Sequence, residues 1–188
     1  MGSTVGRRVT RTARGGTGYG AAMAEPITVA QDASADAPPT LRASATFVGS
    51  AIWFERRAFE VVGGLVATTA EPGVRSVLSA VSHHHAWRAD QLVTVLAQTH
   101  DLRPEDVVEA GDGFGDAALA ALVVEADAGA ARAARVVALL DRWIEHLSAH
   151  RSRLVPVADA PLIRVLDLVV DDLGRDRAAL AACCGPAS

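Results

Sequence analysis

The side chains with the most chemistry to offer are three consecutive histidines, His83 to His85, with Arg88 one helical turn further on and Glu55 well upstream. Imidazole and carboxylate are the usual ligands of iron and zinc. Glu55, His84, His85 and an acid near the far end of the chain, Asp171, therefore form the candidate metal set. Successive helical residues point about 100° apart, so at most two of the three adjacent histidines face inward. His146 and His150 have the i, i+4 spacing that can share a zinc ion. Leu147, however, stands where a metalloprotease carries Glu, and histidines near a helix C-terminus also complement its dipole, which is the preferred reading here. Ser79 and His83 are a turn apart, as a nucleophile and base would be, without an orienting acid or an oxyanion hole. The Gly15 to Gly20 cluster lacks the strand and helix of a phosphate-binding loop, and Asp112 and Asp116 are too few for a calcium loop. Trp53, Trp87 and Trp143 suit core packing; Trp53 and Trp87 beside His85 would also line a small-molecule pocket between helices.

Helices must position these residues. Phe47, Ala51, Phe54, Ala58, Val61, Val62 and Leu65 recur at helical spacing, which predicts one long helix from about Thr40 to Thr69. Gly63 and Gly64 inside it allow a close approach or a bend. Glu71-Pro72-Gly73 make a turn, and a second helix follows from about Val74 to Thr99, so the pair is an antiparallel hairpin. A long polar connection then carries short helical pieces at Pro104 to Glu109 and Asp116 to Ala128. A third long helix spans about Ala130 to Leu154, with Val136, Leu140, Trp143 and Leu147 on its apolar face. Pro156 ends it. The last helix runs from about Pro161 to Cys184, with Leu162, Leu166, Val169, Val170 and Leu173 buried, and stops at Gly185-Pro186. No strand pattern accompanies these, so the expected fold class is all-α: two helical hairpins joined by a long crossover, making a four-helix bundle over residues 40–185. Residues 1–39 read as a flexible leader rich in Arg, Gly and Ala, in which Met23 is an alternative start.

The stretch from about Leu41 to Cys184 resembles a ferritin-like four-helix bundle. The segments Trp53-Phe54-Glu55-Arg56-Arg57, His84-His85-Ala86-Trp87 and Pro156-Val157-Ala158-Asp159-Ala160-Pro161 look like an actinobacterial branch of that superfamily. The resemblance implies a di-iron pattern of one Glu from each of two helices and a Glu-x-x-His pair from each of the others. Glu55 fits the single-Glu role. Val81 and Ser82 stand where the Glu of a pair would precede His84 or His85, Glu145 points away from the third helix's apolar face, and Gly174 and Arg175 follow Asp171 and Asp172 where His would be. Neither Glu-x-x-His pair is present. At about 1.5 Å per residue, Glu55, His85, Arg88, Asp167 and Asp171 all fall roughly 17–24 Å from the first hairpin's turn, in one layer. Arg88 is then placed to donate a two-pronged hydrogen bond to Glu55, its guanidinium replacing the charge of the metal.

Composition sets the surroundings. The 188-residue chain is half apolar, has a net charge of -4 and contains no lysine. Arg7, Arg8, Arg11 and Arg14 precede any acid, so the rest of the chain carries about -8 and would repel a phosphate backbone; no nucleic-acid partner is expected. Charges interrupt every apolar run before the roughly 18 residues that a membrane span requires. The Arg7-Arg8 pair is followed by glycines rather than the apolar region of an export signal. Adjacent Cys183 and Cys184 read as free thiols in a reducing cytoplasm. The expectation is a metal-free bundle, without cofactor, acting as a binding or assembly module and pairing as a homodimer through an apolar helix face. The alternatives are an iron-dependent oxidoreductase built on Glu55, His84, His85 and Asp171, or a bundle that binds a small ligand.

Overall fold

The computed structural model describes residues 37–100, 102–111, 115–123 and 129–184. The expected leader up to residue 36, with Met23 and the Gly15 to Gly20 cluster, lies outside them, as do Asp112 and the Gly185-Pro186 stop. Six helices account for the named elements: α1 (Leu41–Thr68), α2 (Pro72–Val93), α3 (Pro104–Val107), α4 (Gly115–Val123), α5 (Gly129–Arg151) and α6 (Ala160–Ala182). The only strand-like pairing among the described residues is an isolated bridge between Thr99 and Leu102, so the chain is all-α as expected.

Each long helix presents one seam to the core. Buried positions step by three and four residues through Val48, Ala51, Glu55, Ala58, Val62 and Leu65 on α1, and through Val74, Leu78, Val81, His85, Arg88 and Leu92 on α2. The same steps run through Ala133, Val136, Leu140, Trp143, Leu147 and His150 on α5, and through Leu162, Leu166, Val169, Leu173, Asp176 and Leu180 on α6. A 3.5-residue period keeps one stripe facing the neighbouring helices. Most of these side chains are apolar and share one core. The polar exceptions on these seams are Glu55, His85, Arg88, His150 and Asp176.

The helix ends fix the directions. The start of α1 (Leu41, Ser44), the residues after α2 (Thr94, Val95) and the start of α6 (Pro161, Leu162) line one groove at one end. At the other end the Glu71 carboxylate accepts the Gly129 N–H at 3.0 Å, which places an acid at the positive N-terminus of α5. The Arg132 guanidinium from α5 donates to the Leu65 carbonyl and to the hydroxyls of Thr68 and Thr69, closing the C-terminus of α1. The long helices thus run up, down, down and up, with α2 ending at one end of the bundle and α5 starting at the other. Helix α2 packs on α1, α5 and α6, while α3 and α4 lie against α1. Gly49 is required where α3 meets α1, since a Cβ there would sit 2.1 Å from the Val107 carbonyl oxygen. Gly63 faces the Ser82 hydroxyl, which donates to the Phe59 carbonyl at 2.9 Å across the α1–α2 contact.

The boundaries differ from expectation at three places: Pro72 and Gly73 lie in the first turn of α2 rather than in a turn before it, α5 ends at Arg151 rather than near Leu154, and the largest difference is at the end of α2. Helix α2 ends at Val93 rather than near Thr99, because the Thr94 hydroxyl takes the Gln91 carbonyl at 2.6 Å and the backbone tightens into consecutive turns. No described helix is long and apolar enough to cross a membrane.

Candidate functional site

Four seams contribute to one polar layer in the middle of the core. Glu55, His85 and Arg88 are each 0% exposed. Glu55 Oε1 accepts the Trp143 indole N–H at 2.7 Å, and Oε2 accepts from His85 Nδ1 at 2.5 Å and Arg88 Nε at 3.2 Å. Arg88 Nη1 continues to Asp172 Oδ2 at 2.7 Å and Asp176 Oδ2 at 2.8 Å, and Asp176 Oδ1 meets His84 Nδ1 at 2.7 Å. Burial alone would raise the Glu55 carboxyl. The charges of His85 and Arg88, with hydrogen bonds from His85 and Trp143, outweigh burial and hold it below the usual carboxylate range. Burial likewise opposes the Arg88 charge, and Glu55, Asp176 and Asp172 more than offset it, so the guanidinium is held more firmly protonated than usual. His85 Nε2 and Arg88 Nη2 are buried without a hydrogen-bond partner among the described residues.

The Arg88 guanidinium therefore lies among three carboxylates, one from α1 and two from α6. It makes a single bond to Glu55 rather than the two-pronged pair, and its outer nitrogen spans the two aspartates instead. Asp171 is not part of the layer: it faces solvent, while Asp172 and Asp176 point inward. The sequence signal for Asp176 was present, because continuing the α6 stripe from Leu173 by three residues lands on it. His84 is half exposed and reaches the layer only from outside, through Asp176. Asp167 is also outside, paired with Arg151 on the surface. One ligand atom from each of His84, Asp172 and Asp176 lies within 4.8 Å of the others, a spacing that would hold a cation. Arg88 Nη1 already contacts both of those aspartates.

No family model, curated protein or solved structure matches this chain. Its chemistry has to be read from its own side chains.

Other sequence-derived sites resolve differently. His150 is buried with its ring stacked on Phe47 at 3.5 Å between centroids. Burial, with smaller contributions from Arg153 and His146, lowers it to about 4. It is neutral at neutral pH and supplies no charge to the helix dipole, contrary to expectation. His83 Nδ1 meets the Ser79 backbone carbonyl at 2.8 Å rather than the hydroxyl, so no nucleophile–base pair forms there. Trp87 is 39% exposed and is not among the described residues that line the pocket at Trp53. Trp53 instead lines a pocket of about 160 Å³ with Phe47, Ser50, Phe54, Trp143 and His146, and with Gly111 and Gly115 of the crossover. Both glycines are dictated by the close approach to α1: a Cβ on Gly115 would lie 2.7 Å from the Trp53 ring, and one on Gly111 2.9 Å from Ser50. The Trp143 ring thus has two sides of use, its N–H on Glu55 and its face toward the cavity.

Proposed function

We propose that this chain is a metal-free ferritin-like four-helix bundle acting as a binding or assembly module, in which Arg88 supplies the internal positive charge. The observation that carries the reading is the guanidinium, fully buried and bonded to Glu55, Asp172 and Asp176. Arginine cannot lose its proton in a protein, so a cation is built permanently into the layer. The up-down-down-up order of the long helices, with a connection running their full length, supports the ferritin-like assignment. A homodimer in a reducing cytoplasm, with Cys183 and Cys184 as free thiols, remains the expected form of the module. Anaerobic titration with Fe(II) tests the assignment. Wild-type protein is expected to bind no stoichiometric iron, and Arg88→Ala to gain iron binding, seen as a rise in Tm on adding the metal. One equivalent bound by wild type and lost in both Glu55→Ala and His85→Ala would overturn it.

A second reading, a metal-dependent oxidoreductase, is favoured by one observation, the spacing of His84, Asp172 and Asp176. Iron bound there would require Arg88 to release both aspartates, and binding would be lost in His84→Ala and Asp172→Asn.

A further inference from the structure

We propose that the outer face of α2, with Phe59 of α1 beside it, is the surface through which two copies of this chain pair, antiparallel about a twofold axis near His83. The inference rests on reading the chain as an assembly module that pairs with itself, and it names the surface. Two large aromatic side chains lie open to solvent there, Phe59 at 40% and Trp87 at 39% exposure. The Phe59 ring packs edge-on against His83, with centroids 6.5 Å apart, so α1 and α2 share the face. Exposed aromatic surface rimmed by charge marks an interaction site.

The order of residues along α2 says what covers it. A face that binds a copy of itself carries each feature and its complement at equal distances on either side of the axis. At about 100° per residue, Ser76, Ala80, His83, Trp87 and Asp90 fall within about 80° of one another, on the side of α2 opposite its buried seam. At about 1.5 Å per residue, Trp87 stands about 6 Å beyond His83 towards the C-terminus of α2, and Ser79 and Ala80 about 5–6 Å before it. The small side chains of Ser76, Ser79 and Ala80, with Val66 from α1, line an open hollow next to His83. Charge follows the same rule. Arg75 is about 12 Å before His83 and Asp90 about 10 Å after it, and both are exposed. Neither has an ion-pair partner among the described residues. Turning a second copy over about the axis therefore puts Trp87 of each chain into the hollow of the other, and Asp90 of each beside the other's Arg75.

Analytical ultracentrifugation of the full chain over a concentration series is the test, and a face of two helices is expected to give a dimer with a Kd of about 1–10 µM. Truncating a central interface tryptophan costs about tenfold or more, and each substitution acts twice across the axis, so Trp87→Ala is expected to weaken the dimer about a hundredfold. Arg75→Asp and Asp90→Arg each set like charges together and are expected to weaken it roughly tenfold, while the double variant, with both charges exchanged, restores the wild-type Kd within about threefold. The charge variants are surface changes and should keep the wild-type Tm at concentrations where the chain is a monomer, which separates lost pairing from lost folding. A chain that stays monomeric throughout would overturn both this face and the homodimer reading, and would give Phe59 and Trp87 to another segment of the chain or to a different protein. A dimer whose Kd ignores Trp87→Ala and both charge reversals, or a double variant no tighter than the single ones, would overturn this face alone. Arg75, Trp87 and Asp90 contribute no bond to the polar layer, so the Fe(II) result stands or falls separately.

Discussion

Replacing Arg88 with Met keeps much of the buried stem and removes only the charge and its hydrogen bonds. The wild-type guanidinium is 0% exposed and holds three carboxylates at 2.7–3.2 Å. Without it Glu55 and Asp176 remain buried, at 0% and 4% exposure, with their principal counter-charge gone. Removing one partner of a buried ion pair costs about 3–5 kcal/mol, because the other charge is stranded away from water. For a domain of this size, 1 kcal/mol corresponds to about 2–4 °C, so Tm should fall by roughly 6–20 °C at pH 7. Urea unfolding followed by circular dichroism gives the free energy, and an unchanged m-value would show that the folded and unfolded states keep their compactness. The loss should shrink in acid. The folded-state Glu55 carboxyl is held below 4.5, so its contribution is present above that value and disappears as pH falls through the folded pKa. Glu55→Gln made in the Arg88→Met background should cost less than in wild type, with a coupling of about 1–3 kcal/mol. A loss below about 1 kcal/mol at pH 7, or strict additivity, would refute the view that Arg88 neutralises the layer.

Trp143→Phe keeps a ring against Phe54 but removes the N–H on Glu55 Oε1. A buried charged acceptor left short of a donor should cost about 1–3 kcal/mol in urea unfolding, and a change under 0.5 kcal/mol would contradict the assigned bond. His150 has a folded-state pKa of about 4 against an ordinary 6.5. The unfolded chain therefore takes up its proton first, and the His150 contribution, of order 3 kcal/mol, is present above pH 6.5 and lost as pH falls towards 4. His150→Gln should flatten the stability–pH curve in that window, and an unchanged slope would show that the imidazole is not held neutral.

The chain's helices were largely legible because the apolar seams are long and regular. Thr40 caps α1 where the pattern begins, and Pro161 sits in the first turn of α6. The end of α2 was not legible, since no Gly or Pro marks Val93 and the stop depends on the Thr94 hydroxyl. For the polar layer, depth along a helix brought Glu55, His85 and Arg88 into register but chose Asp171 from α6. Depth changes by only about 1.5 Å per residue while the face turns by about 100°, so position along the axis cannot separate Asp171 from Asp172. The face of the stripe could have done so, and it points to Asp176. The pairing of Trp53 with Trp143 rather than Trp87 was beyond sequence reasoning, because it depends on where the crossover backbone lies against α1.

The polar layer also pins the axial alignment of the two hairpins. Apolar seams built from Val and Leu at a 3.5-residue period match themselves again after a slip of one turn, about 5.4 Å, with little loss of packing. The polar layer loses partners on such a slip. Asp172 and Asp176 lie one turn apart on α6, so sliding α6 by one turn along α2 would leave the guanidinium one aspartate in place of two and would part the Trp143 N–H from Glu55, a loss of about 1–3 kcal/mol for each buried partner left short. The layer therefore favours one docking register of the α1–α2 and α5–α6 hairpins, the one that keeps both aspartates on Arg88 and the Trp143 N–H on Glu55.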